Sequence, residues 1–196
     1  MAINTSRTVS ALRSWAIWTL GFLSFPLAGI AGGAIAGPVD SPLAAALGGA
    51  VTGLVIGTGQ WLASGRRLRA DRWIPATTIG MGLGLLIGAT LVDFGTDLAD
   101  LALMGAVTGI PLGIAQVLAL PPGSRLRWVW AAVMPALWSM GWTITTLVGV
   151  DVETQYTVFG STGAITVSAL AGLALQFIVP STIASPSTAS SIEVSS

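Results

Sequence analysis

The sequence predicts an all-α integral membrane protein: six transmembrane helices forming three tandem helical hairpins of the same orientation, a pseudo-threefold bundle. Three observations predict this. Of 196 residues, 53% are hydrophobic and only 8% charged, and the mean hydropathy is +0.83, too few charges to coat a soluble globule of this size. Six apolar stretches reach the length of about 20 helical residues that crosses a hydrocarbon core. The chain also repeats itself at the interval of one hairpin.

The stretches cover residues 15–37, 42–64, 73–93, 101–120, 128–150 and 158–179. Gly and Pro within them would weaken helices in water, but membrane helices carry both, because neighbouring helices can satisfy the freed backbone groups. The first stretch, "RSWAIWTLGFLSFPLAGIAGGAIAG", also has the basic start and small-residue end of a cleavable signal. Its apolar part exceeds the usual 7 to 15 residues of a signal core, so a retained span is expected.

All eight basic residues are Arg. Arg7 and Arg13 precede span one; Arg66, Arg67, Arg69 and Arg72 lie between spans two and three; Arg125 and Arg127 lie between spans four and five. The alternate connections carry Asp40, then Asp93, Asp97 and Asp100, then Asp151 and Glu153, without Arg. By the positive-inside rule both termini are cytoplasmic. The expected domain is residues 1–179, with hairpins at 13–64, 72–120 and 127–179. The Ser- and Thr-rich residues 180–196 are expected to form a disordered cytoplasmic tail.

The repeat is direct. "GAVTGLVIGTGQWLA" from Gly49 and "GAVTGIPLGIAQVLA" from Gly105 agree at nine of fifteen positions without a gap. Each odd span opens with Arg followed closely by Trp and ends on Val-Asp, at Asp40, Asp93 and Asp151. Same-orientation repeats are related by an axis along the membrane normal. Counted by fours, Gly49, Gly53 and Gly57 share one helix face, as do Gly80, Gly84 and Gly88, and Gly105, Gly109 and Gly113. Weaker versions are Gly29, Gly33, Gly37; Gly141, Thr145, Gly149; and Ala164, Ser168, Gly172. Apolar burial cannot drive helices together in lipid, whereas small residues let backbones touch. These ladders are therefore expected to be packing seams.

Gln60 and Gln116 each lie eleven residues beyond the first Gly of a ladder, only about 20° from it around the helix. They face the bundle, as interhelical hydrogen-bond partners or, with Gln176, as the lining of a polar path. Thr52, Thr108 and Thr166 are expected to bond back to their own helices. Trp15, Trp18, Trp61, Trp73, Trp128 and Trp130 fall near predicted cytoplasmic ends and read as an aromatic belt. Trp138 and Trp142 fall mid-span, four residues apart on one face, and either fill space beside small residues or mark a lipid, partner or apolar-ligand contact. The segment with Arg66, Arg67, Arg69 and Arg72 sets topology and could also attract anionic lipid at about 1 kcal/mol per Arg.

No His, Lys or Cys is present. His-ligated haem or metal, a retinal Schiff base and a disulfide framework are therefore excluded. No carboxylate falls centrally in a span, so intramembrane acid–base chemistry lacks its usual residues, and neither an enzyme nor a cofactor is expected. The zero net charge gives no sign of a nucleic-acid partner.

"GQWLASGRRLRADRW", between Gly-rich apolar helices, resembles the Gln-Trp-Leu, Arg-Arg, Trp hairpins of a family of small bacterial multi-span membrane proteins. Gln60, Trp61, Leu62, Arg66, Arg67 and Trp73 carry the likeness, which decays in the second copy, where Val117 stands for Trp. The resemblance implies a bacterial inner-membrane protein and no particular activity. Mitochondrial carriers also have three two-helix repeats, but "PVDSPL" lacks the basic residue of their signature. The expected role is a structural or accessory subunit, with a protein partner or homo-oligomer left open. The rival is a small-solute or ion path along the axis.

Overall fold

In the computed structural model the described residues are 5–121, 123, 124 and 126–178, with side chains described from Val9 onward. The segment 180–196, read as a disordered tail, lies outside them, as does Arg125. The described chain is all helical: α1 (Thr5–Leu20), a 3₁₀ turn (Gly21–Leu23), α2 (Ser24–Ala36), α3 (Pro42–Ala63), α4 (Ala70–Leu91), α5 (Leu98–Ala119), α6 (Arg127–Leu147) and α7 (Ser161–Ile178). Five helical segments are long and apolar enough to cross a membrane: Val9–Ala36, Pro42–Ala63, Ala70–Leu91, Leu98–Ala119 and Ser161–Ile178. Helix α6 has 21 residues, about 31 Å at 1.5 Å per residue, but its Trp, Thr and Ser content leaves it less apolar than the others.

Local chemistry sets several boundaries. Ser41 caps α3, its hydroxyl accepting from the Ala44 amide, and Pro42 takes the first helical position, where no N–H is needed. The first span is not one straight helix. Pro26 cannot donate to the Phe22 carbonyl one turn back, and the chain tightens into the 3₁₀ turn there. The Ser24 hydroxyl donates to the Gly21 carbonyl at 2.7 Å.

Each helix packs on its neighbours in sequence, α2 on α3, α3 on α4, α4 on α5, α5 on α6 and α6 on α7, and α7 returns to α1. The acid-bearing connections meet at one end. Val39 N–H donates to the Gln155 carbonyl, and Gln155 Nε2 donates to the Phe94 carbonyl, both at 2.9 Å. The α6–α7 connection departs from the expected start of span six at residue 158. Helix α7 begins at Ser161, and Thr157, Val158 and Phe159 enter the bundle as buried, non-helical chain. Non-helical backbone is tolerated where protein surrounds it.

Candidate functional site

The three Gly ladders lie along successive helix seams, each against the backbone of the next helix. A Cβ on Gly53 would stand 2.6 Å from the Thr77 carbonyl oxygen; on Gly84, 2.6 Å from that of Thr108; on Gly109, 2.6 Å from that of Met134. Gly49 meets the α4 backbone in the same way and Gly57 meets the Thr77 side chain, Gly80 and Gly88 meet α5, and Gly105 and Gly113 meet α6. The motif GAVTG stands twice because α3 and α5 each present this face to the following helix.

The weaker ladders differ. A Cβ on Gly33 would meet nothing within 4 Å. Its neighbour Gly32 is the close-packed residue, 2.6 Å from Thr157 Oγ1 and 2.7 Å from Thr52 Oγ1. In α2 the inward face runs through Gly32 and not through Gly33. Gly149 lies beyond α6 with φ 80° and no close neighbour, as suits a left-handed residue just past a helix end. Gly172 packs on the indoles of Trp15 and Trp18.

Inside this ring lies a polar network. Gln60 Oε1 accepts from Trp73 Nε1 at 3.1 Å and from Gln116 Nε2 at 3.3 Å. Gln116 Nε2 also reaches Thr77 Oγ1 at 3.1 Å, and Gln116 Oε1 accepts from Trp130 Nε1 at 2.9 Å. Thr77 donates to the Trp73 carbonyl at 2.9 Å. Gln116 is 1% exposed and Trp73 and Trp130 are 0% exposed, so removing the Gln116 amide would leave the buried Trp130 N–H without its acceptor. Gln176 is not a third member. Its Nε2 donates to the Ala11 carbonyl at 2.8 Å, tying α7 to α1.

The aromatic belt is corrected in the same place. Trp128 is exposed, but Trp18, Trp73 and Trp130 are buried, and Trp130 meets both others, with centroids 6.5 Å from Trp18 and 6.1 Å from Trp73. A second aromatic tier combines Phe25, Trp138, Trp142 and Phe159, with Phe159 5.3 Å from Phe25 and 4.9 Å from Trp138. Trp138 and Trp142 are 3% and 2% exposed, so their rings face the interior and not lipid or a partner. A Cβ on Gly105 would be 2.6 Å from the Trp138 carbonyl and 2.9 Å from Trp142 Cδ1; the two Trp fill space beside a small residue.

Between the tiers is a cavity of ≈ 10 Å³, lined by residues of every span, among them Gln60, Gln116, Thr77 and Ser168. It has room for about one water molecule. Amides, indoles and hydroxyls exchange no protons near neutrality, so the site can bind through hydrogen bonds but supplies no acid or base. Among the described residues, no group of three His, Cys, Asp or Glu side chains comes together as metal ligands would.

The threonines also divide. Thr166 bonds back to the Thr162 carbonyl at 3.0 Å as expected. Thr52 instead donates across the bundle to Thr157 Oγ1 at 2.8 Å, and buried Thr108 Oγ1 has no partner. Sequence reading missed Phe25, Thr157 and Phe159. It also missed the pairing of each Gln with a Trp beyond the next connection, although Gln60–Trp73 and Gln116–Trp130 are spaced by 13 and 14 residues. No protein-family model matches the chain, and neither a curated protein nor a solved structure does.

Proposed function

We propose that this chain is a non-catalytic integral membrane protein, a structural or accessory subunit whose six spans form three same-orientation hairpins about a pseudo-threefold axis. The observation that carries the reading is the filled interior. Two aromatic tiers and a Gln–Trp hydrogen-bond network pack together between the helices, which supports an interior closed to passage. Charged side chains are absent from that network, whereas ion and proton paths usually need them. Protein reconstituted into liposomes is expected to leave proton, potassium and small-sugar permeability at the level of empty vesicles. A selective flux that Gln116→Leu abolishes would replace this reading with transport.

That alternative, a small-solute or ion path, draws its support from the polar lining of the axial cavity by Gln60 and Gln116. The accessory reading implies association with a protein partner or a second copy, which crosslinking in native membranes followed by identification of the joined chains would detect.

The orientation proposed is a bacterial cytoplasmic membrane with both termini inside. Cysteines at Ser41, Thr96 and Thr154 are expected to react with an impermeant thiol reagent added to intact cells, and one at Ser124 to remain unlabelled. Labelling at Ser124 would overturn the six-span topology.

A further inference from the structure

A cleft opens where α1, α7 and the α3–α4 connection meet, lined by Ser14, Trp18, Ser64, Arg67, Leu68 and Leu175, with Gln176 at its edge. Two left-handed residues, Gly65 at φ 63° and Arg66 at φ 65°, reverse the chain after α3. The turn brings Arg67 back, and its Nε donates to the Ser64 carbonyl at 2.9 Å. That bond fixes the guanidinium while leaving its two terminal nitrogens for another acceptor. Among the described residues, the ion pair found is Arg69 with Asp71 at 2.6 Å, and no carboxylate pairs with Arg67. The cleft is small, ≈ 20 Å³, so it takes a compact group and leaves the rest of a ligand outside.

A second hollow involves the same first span and α3 end. An apolar groove of ≈ 310 Å³ runs between the kinked first span and α3, walled by Ile17, Leu20, Leu23, Leu27 and Leu62 and ending at Ala63. It is shallow and open to the surroundings, and the same two elements, the first span and the end of α3, supply residues to both hollows: Trp18 and Ser64 to the cleft, Ile17 and Ala63 to the groove. The 3₁₀ turn at Gly21–Leu23 falls along this groove, with Gly21 and Leu23 in its wall. A cationic pocket beside an open apolar channel on a membrane-spanning bundle matches an amphiphile with an anionic head.

We propose that this place is a binding site for one anionic phospholipid, its phosphate on Arg67 beside Ser14 and one acyl chain in the groove. The inference needs the membrane location but is independent of whether the bundle is an accessory subunit or a conduit. A charge-assisted guanidinium–phosphate contact is far more selective than the diffuse attraction of a basic loop.

The test is thermal unfolding of the full chain in detergent, titrated with short-chain phosphatidylglycerol, phosphatidylcholine or inorganic phosphate. Phosphatidylglycerol is expected to raise the unfolding temperature at concentrations where the other two have little effect. Arg67→Gln is expected to weaken its apparent affinity about tenfold, the scale of a hydrogen bond to a charged group, whereas Arg72→Gln leaves it near wild type. Ser14→Asp, which sets a carboxylate against the phosphate, should weaken it likewise and serves if Arg67→Gln does not fold. Equal losses for Arg67→Gln and Arg72→Gln would mean only a diffuse basic surface and would overturn the site. A response to inorganic phosphate matching that to phosphatidylglycerol would mean a free-anion site and would overturn the lipid assignment, as would no preference over phosphatidylcholine.

Discussion

Replacing Gly109 by Leu is expected to abolish recovery of folded protein, and Gly53→Leu to do nearly the same. A Cβ at Gly109 would lie 2.6 Å from both the Met134 carbonyl oxygen and the Pro135 Cα, and one at Gly53 would lie 2.6 Å from the Thr77 carbonyl and 2.9 Å from the Thr78 Cα. These obstacles are backbone, so no rotamer change relieves them; the helices must separate along the whole seam. Overpacking a core costs about 1 to 3 kcal/mol where side chains can adjust. Here the cost is expected at or above that range, a large part of a stability of about 5 to 15 kcal/mol. Leu54 and Ile110, one residue along, are 50% and 48% exposed, and Phe at either is expected to be tolerated. Gly33→Leu should also be tolerated, since no atom stands within 4 Å of a Cβ there. Monodisperse yield in detergent is the measurement, and similar yields for all five variants would remove the seam explanation.

Gln116→Leu is expected to lower the unfolding temperature by about 5 °C, from a loss of about 1 to 3 kcal/mol in a chain of this size. Leu resembles Gln in bulk, so little packing is lost. The cost arises because Trp130 Nε1 loses its acceptor while the ring is 0% exposed. Trp130→Phe should also destabilise, by leaving Gln116 Oε1 without that donor and by emptying part of the upper aromatic tier. The double variant Gln116→Leu with Trp130→Phe should lose clearly less than the sum of the two, because both partners of the bond are gone together. Strict additivity would show that the bond contributes nothing and that the network is incidental to stability.

Much of the helical framework was legible in the sequence. Mean hydropathy, the scarcity of charge and the lengths of the apolar stretches point to long membrane-type helices without reference to packing, since the bilayer imposes those requirements on each helix separately. The Gly spacing was legible for a related reason. A period of four is a property of one helix, and Gly49, Gly53 and Gly57 must share a face whatever lies opposite. The same argument misplaced Gly33, because a shared face does not say which way that face turns in the bundle; in α2 it is Gly32 that meets Thr157 and Thr52.

The partners were not legible. Trp73 follows Arg72 and Trp130 lies one turn after Arg127, a placement near helix starts that a belt at the membrane surface and a buried hydrogen-bond donor share. Only the close approach of α3, α4, α5 and α6 brings their indoles onto Gln60 and Gln116. Gln176 has the same residue type near the same end, yet it turns to Ala11, because which direction a helix residue faces depends on the rotation of α7 against α1. Phe159 gave no signal, since an apolar residue before a helix is as easily a helix start as a wedge between Phe25 and Trp138. By itself, then, the sequence determined that long apolar helices form and which small residues line one face of each, properties fixed by single-helix periodicity and by the bilayer as solvent. Tertiary structure alone decided which helix each face meets, which polar groups find partners and which aromatic rings pack together in the interior, because those follow from relative rotations and from connections entering the bundle, which no local period encodes.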